Sequence, residues 1–289
     1  MAGAAANRAG SSETSGPSTS TAEPGATRLK AIAIIGAGGG VGTTTVAAHL
    51  ASAIAEQNKP VLCFDFCPTD VLRLHFGAAL TDSSGFVTSL LAGQPWQEAC
   101  FTSASGVGFL PFGTLPDDAA LDHASAWMQA RPDWFDSALD SLALPPESII
   151  VCDCPRLPAA LRSQALAAAD LIIVVCTPDP LSLAAATRLA QQLHDHDEHA
   201  TDGASRACTI LLNRFEAARR LDRDIQLLLQ RRHGQLVAPV VIHRDESLRE
   251  ALAHKQTVFE YAPAAQAAHE FAALATWTIA RTGARLAPA

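Results

Sequence analysis

The segment GAGGGVGTTT, Gly36–Thr45, constrains this chain more than any other. It follows a short apolar run, Ala31–Ile35, and leads into Thr44–Gln57, where Ala, Leu and Ile recur at helical spacing. A glycine-rich turn between a buried strand and a helix lets backbone N–H groups converge on an anion, and the helix N-terminus adds a favourable dipole. This is the context a phosphate-binding loop requires. So many glycines in one turn cost backbone entropy, which argues against a turn without a ligand. Two chemistries compete for the loop. The dinucleotide fingerprint needs glycine at its first, third and sixth positions. Counted from Gly36 the sixth residue is Val41, and counted from Gly38 it is Thr43, so that fingerprint fails. The nucleoside-triphosphate loop reads GxxxxGK[ST]. Ala37, Gly42, Thr43 and Thr44 occupy its fixed positions, so the shape fits and the lysine is missing.

The rest of the chain repeats the strand-then-helix rhythm. Short apolar runs at Val61–Phe64, Val107–Phe112, Ile149–Cys152, Leu171–Cys176, Thr209–Leu212 and Val237–Ile242 read as strands buried on both faces. Segments Pro158–Ala169, Pro180–His194, Arg219–Arg231, Glu246–Lys255 and Gln266–Arg281 read as helices. This alternation predicts an α/β fold: one mostly parallel sheet flanked by helices in three layers. Polar residues follow the strands at Asp65, Asp153, Thr177, Asn213 and His243–Asp245. Ligands bind at that edge of open α/β sheets, so the rim is expected to be the site. Alone, Asp65 and Asp153 read equally well as helix N-caps, and Asn213 as a turn residue.

Composition narrows the function classes. With 48% hydrophobic residues the chain can bury a large core. Residues 1–28 are an Ala-, Gly-, Ser- and Thr-rich stretch expected to be a disordered tail, with a single domain over 29–281 and a flexible end over 282–289. A net charge of −8 argues against tight nonspecific nucleic-acid binding. No apolar run approaches the roughly 20 residues that span a bilayer. The seven cysteines include no CxxC pair, so Cys67, Cys152 and Cys154 read as structural thiols, and a cytoplasmic location is expected. His75, His123 and His194 are scattered and read as surface or helix positions.

At this point a resemblance becomes specific. The loop resembles the deviant Walker A, KGGxGK[ST], of the MinD/ParA group of P-loop ATPases, with Gly39, Gly40, Val41, Gly42 and Thr44 matching. FDFCPTD (Phe64–Asp70) resembles the group's DxDP element, VCDCP (Val151–Pro155) its Walker B strand, and LLNR (Leu211–Arg214) its Asn-Arg element. The loop, the DxCP element and IHRDESLREALAHKQTVFEY (Ile242–Tyr261) together resemble the BcsQ family, MinD-like proteins of bacterial cellulose secretion systems.

The resemblance implies ATP and Mg²⁺ as ligands. Backbone N–H groups of Gly39 to Thr44 would then cradle the β- and γ-phosphates, with Gly38, Gly39, Gly40, Val41, Gly42, Thr43 and Thr44 all in the binding loop and Thr45 reaching the α-phosphate. Thr44 would ligate the metal, Asp153 would hold the metal or a metal-bound water, and Asp65 a water beyond the metal's own ligands. Asn213 and Arg214 would serve the adenine side, near His243–Asp245. Asp65 and Asp153 are the only catalytic candidates.

The departures matter as much. The group's signature lysine is Gly38 here, its Walker lysine Thr43, and its water-orienting aspartate Cys67. Phosphoryl transfer depends on positioning and on stabilising charge at the transferred group. Hydrolysis is therefore expected to be slow or absent while binding survives. Arg156 and Arg244 are the candidates for replacing the lost charge.

The implied role is an ATP-sandwich homodimer acting as an assembly factor of the cellulose synthesis complex. Its implied partners are BcsR-like and BcsE-like proteins and the membrane-bound synthase, with recruitment to the inner membrane or cell pole through them. The competing reading is a ParA-like partition ATPase, for which Arg219, Arg220, Arg223, Arg231 and Arg232 form a basic stripe. A direct membrane anchor is not expected, because Phe271–Ala289 is mostly small residues.

Overall fold

The computed structural model describes residues 29–198 and 206–283. The expected tail over 1–28 and residues 284–289 lie outside the described residues. In chain order the elements are β1 (Lys30–Gly36), α1 (Thr43–Glu56), β2 (Val61–Asp65), α2 (Leu72–His75), α3 (Phe86–Leu91), β3 (Phe101–Thr102), β4 (Gly108–Leu110), α4 (Asp118–Gln129) and α5 (Trp134–Asp140). They continue as β5 (Ile149–Cys154), α6 (Ala159–Ala168), β6 (Leu171–Cys176), α7 (Pro180–Glu198), β7 (Ala207–Leu212), α8 (Arg220–His233), α9 (Ser247–Ala253), α10 (Val258–Tyr261) and α11 (Gln266–Gly283).

The sheet order is β3-β4-β2-β5-β1-β6-β7. Every pairing is parallel except β3 with β4. Strand alternation divides the core in two. Ala31, Ala33, Ile35, Phe64, Cys152 and Cys154 face one layer. Ile32, Ile34, Cys63, Val151 and Ile173 face the other, where α1 packs against α11. Ala267, Ala268, Phe271, Leu274 and Ala275 of α11 are fully or almost fully buried there. The apolar face of the described last helix therefore belongs to the core. No described helix is long and apolar enough to cross a membrane.

Two expected strands are corrected. Val237–Ile242 is not a strand: Pro239 has no N–H to donate, and the segment keeps only the Ile210–Val237 bridge and two bonds to β7, from Ala238 and Ile242. Val107–Phe112 shortens to β4, because Pro111 ends the ladder. His75 ends α2, so it is a helix position, and it is buried at 2% exposure. The last helix also runs two residues past Arg281, to Gly283.

His75 packs edge-on against His49, a fully buried residue of α1. Nδ1 of His49 donates to the Thr45 carbonyl at 2.8 Å, and its Nε2 accepts the Val258 N–H at 3.1 Å. Burial holds the His49 pKa down at about 4, so this neutral tautomer persists at neutral pH. The ring thus joins the helix behind the glycine loop to the start of α10. We expect His49→Ala to lower stability by about 2 kcal/mol, since it leaves a cavity and takes the acceptor from the buried Val258 N–H. Chemical denaturation would measure the loss.

Candidate nucleotide-binding site

The glycine loop leaves the central strand β1 and enters α1 with the geometry its sequence demands. Gly40 and Gly42 sit at φ +72° and +96°, a region that favours glycine. A Cβ on Gly42 would meet Asn213 Nδ2 at 2.5 Å, and one on Gly36 would meet Thr43 Oγ1 at 2.5 Å. By contrast, nothing lies within 4 Å of a Cβ on Gly38 with the sole exception of Val41 Cγ1 at 3.8 Å, and nothing at all for Gly39. The middle of the loop therefore faces open space while its ends are tightly held. The N-terminus of α1 has no side-chain cap and no acidic residue in its first turn. Its first N–H groups are available to an anion.

Val41 turns its side chain into the core, 5% exposed, and contributes only backbone. Its carbonyl accepts Asn213 Nδ2 at 2.8 Å. Asn213 is 4% exposed, so in this structure it fastens the loop to β7, a role neither the adenine reading nor the turn reading included. Arg214 follows at φ +58°.

Two cavities meet at the loop. One, about 390 Å³, lies over Gly38–Gly40 and Thr43–Thr45, walled by Cys67–Thr69 and Cys154–Leu157. The other, about 310 Å³, lies between Asn213 and the segment His243–Arg249. Gly42, Thr45 and Arg214 line both, so the two form one continuous trough. The far wall is pinned by α11. Glu270 accepts the His243 N–H at 2.8 Å and its Nδ1 at 2.6 Å, and Asp245 accepts the Ala267 N–H at 3.0 Å. Nothing in the one-residue patterns around Glu270 signalled this role, because it lies 27 residues from His243.

The two aspartates come together by register. Asp65 and Asp153 are Cα partners at the ends of the adjacent strands β2 and β5. Alternation turns both toward the layer that holds α1, with Cys63 and Val151. Both are fully buried. Asp65 accepts the Cys67 N–H at 2.8 Å and the Leu72 N–H at 3.2 Å, so it does support the start of α2. Asp153 caps no helix: neither of its buried oxygens has a hydrogen-bond partner at good geometry. Burial first, then the Asp153 charge, pushes the Asp65 carboxyl well above the usual carboxylate range. Burial also lifts Asp153 to about 6, against the moderating effect of the nearby Thr44 hydroxyl and Cys67 thiol. An orphaned buried carboxylate is costly unless something pairs with it. A divalent cation that takes oxygen ligands fits Asp153 together with Thr44.

The arginines separate. Arg156 lines the cleft over the loop and donates to the Ala37 carbonyl at 3.3 Å. Arg244 lies at the other cavity and pairs with Glu216 at 3.2 Å, so it does not reach the loop. Thr177 follows β6 at the expected rim, but its hydroxyl is engaged locally: it donates to Asp179 at 2.7 Å, which accepts the N–H groups of Leu181 and Ser182 in the first turn of α7. Cys152 and Cys154 are buried in the opposite layer, with Cys154 at the cleft wall, whereas Cys67 stands in the cleft and outside both core clusters.

The comparisons with known proteins agree with this geometry. The family model described as "Cellulose biosynthesis protein BcsQ" matches residues 29–279. The chain is 32% identical over 252 residues to the cellulose biosynthesis protein BcsQ of Escherichia coli K12, covering 87% of this chain and 94% of that protein. It is 27% identical to the chromosome-partitioning ATPase Soj of Thermus thermophilus, over 88% of this chain and 97% of that protein. Among solved structures, the septum site-determining protein MinD of Pyrococcus horikoshii, complexed with Mg-ADP, superposes with a TM-score of 0.67 at 22% identity. That match covers 86% of this chain and 96% of MinD. The chain therefore belongs to the BcsQ family of cellulose biosynthesis proteins, built on the MinD/ParA-like P-loop fold.

Proposed function

We propose that the chain binds ATP with Mg²⁺ in the continuous trough and acts as a nucleotide-dependent assembly factor of a bacterial cellulose synthesis complex. The observation that carries this reading is the fully buried Asp153, whose two oxygens lack partners beside the open glycine loop. Backbone N–H groups of Gly39–Thr44 would take the β- and γ-phosphates, and Thr45 the α-phosphate. Mg²⁺, held by Thr44 and Asp153 with Asp65 on one of its waters, would neutralise phosphate charge. The base would occupy the cavity between Asn213 and Arg249. The amide of Asn213 spends one Nδ2 hydrogen on the Val41 carbonyl, which leaves Oδ1 and the second hydrogen for the adenine edge.

Hydrolysis would be slow or absent. Gly38 and Thr43 stand where related ATPases carry lysines, and no lysine lines the cleft. Cys67 stands where an aspartate would orient the attacking water, and burial, then the neighbouring aspartates, raise its pKa and keep the thiol neutral. Arg156 and Arg214 are the cations that line the phosphate side. We expect Arg156→Ala to weaken ATP binding about fivefold, roughly 1 kcal/mol for an exposed charge. Titration calorimetry with and without added salt would check it.

In this reading ATP is a ligand that stabilises an association state, a homodimer with two nucleotides sandwiched between subunits. The dimer would present its surface to BcsR-like and BcsE-like proteins and to the synthase, and would be held at the inner membrane or cell pole by them. Extraction of nucleotide from the purified protein, with its mass measured in solution, tests the reading. Intact ATP in a dimer supports it, and a monomer indifferent to ATP overturns it. Phosphate release at rates typical of MinD-like ATPases would overturn slow hydrolysis alone. The ParA-like alternative rests on the basic stripe, but Arg219 and Arg220 are paired with Glu216 and Asp224. A salt-dependent shift of DNA would favour that alternative.

A further inference from the structure

The geometry points to a thiol-containing metal site, made by Asp65, Cys67 and Asp153, that binds a borderline-soft divalent cation such as Zn²⁺ or Co²⁺ in the absence of nucleotide. One ligand atom from each residue lies within 4.8 Å of the other two, close enough for all three to meet one ion. The placement is fixed by the fold. Parallel register sets the two aspartates side by side on β2 and β5. The turn after β2 is held by the Cys67 N–H bond to Asp65, and the Phe66 N–H donates to the Asp153 carbonyl at 2.9 Å. Cys67 therefore stays against the carboxylates. It also lines the open cleft, which gives an ion a route in.

The donor set argues for the kind of metal. Asp153 is fully buried, so a cation satisfies two oxygens that have no hydrogen-bond partner at good geometry. Two carboxylate oxygens alone would suit Mg²⁺ as well as any divalent ion. One sulfur among them shifts the preference toward Co²⁺, Zn²⁺ and Cd²⁺. On binding, the thiol proton passes to solvent and the thiolate becomes the ligand. Cys152 and Cys154 are excluded from the set because alternation turns them into the opposite layer. The site shares the cleft of the proposed ATP site but needs no nucleotide, so its test stands apart from the ATP reading.

Co²⁺ titrated into the nucleotide-free protein is the probe. The expected result is one equivalent bound, with a sulfur-to-cobalt charge-transfer band in the near ultraviolet. Cys67→Ser should remove the band and weaken binding at least about tenfold, as loss of a ligand does. Asp153→Asn, which keeps the thiol, should weaken binding to a similar degree. A hundredfold excess of Mg²⁺, about that order being ample to test selectivity, should leave the band in place. A band that survives in Cys67→Ser would show that another thiol binds the metal and would overturn the proposal. So would the absence of a band in the unaltered protein, or its ready displacement by Mg²⁺.

Discussion

Gly42→Val is expected to abolish detectable ATP binding, a loss of at least about a hundredfold, and to lower stability by about 3 kcal/mol. Two independent obstacles add at this position. The backbone is at φ +96°, where a β-branched residue is strained by roughly 1–3 kcal/mol. The new Cβ would also meet Asn213 Nδ2 at 2.5 Å, which no rotamer of the valine relieves. Asn213 must then move and give up its bond to the Val41 carbonyl, a buried interaction that ties the loop to β7. The loop loses its shape at the point where the two cavities join. Gly39→Ala is the matched control. Its Cβ would meet nothing within 4 Å, so stability should change by less than about 1 kcal/mol. Calorimetric titration with ATP and chemical denaturation of both variants would give the four numbers. Binding by Gly42→Val within tenfold of the unaltered protein would mean the loop does not carry the phosphates.

The contrast between these glycines shows where the sequence was legible. Strand runs bounded by polar residues placed Asp65, Asp153 and Asn213 at one edge, because a buried parallel strand must be apolar along its length and can turn polar only at its end. The loop was legible for the same local reason. What could not be read was the pairing of strands. Asp65 and Asp153 are 88 positions apart, and only the β2–β5 register makes them neighbours. The partner of Asn213 was hidden too, since an amide can face a base or a backbone carbonyl with equal ease. Arg73 lies in LRLH, where nothing in the residue pattern marks it. It is fully buried, paired with Asp70 at 2.6 Å and bonded to the carbonyls of Asp82 and Ser84. Single-residue character does not announce a paired buried cation, because the carbonyls that receive it come from a loop folded back over it. Val237–Ile242 failed in the opposite sense, with strand-like apolar character defeated by one missing N–H.

Asp153→Asn is expected to strengthen the nucleotide-free protein while weakening Mg²⁺-dependent ATP binding about a hundredfold, roughly 3 kcal/mol. The two effects have one cause. In the free protein the carboxylate is buried beside Asp65 with no partner for either oxygen. Burial raises its pKa from 3.8 to about 6, so the fold favours the protonated acid. A raised carboxyl pKa contributes stability that is fully present below the unfolded value and lost as pH rises through the folded one. Stability of the free protein should therefore fall between pH 4 and 7, by up to about 3 kcal/mol from this group. Asparagine is neutral throughout and nearly the same shape, so the variant should show a flatter profile and gain about 2 kcal/mol at pH 7. Mg²⁺ with ATP reverses the sign for the natural residue, because the cation turns an unfavourable buried charge into a ligand. Urea denaturation of both proteins across that pH range, with and without Mg-ATP, separates the two halves of the expectation. A variant less stable at pH 7 with an unchanged pH slope would show that Asp153 is already satisfied within the fold, and that its position beside the loop is structural rather than a vacancy for a metal-bound nucleotide.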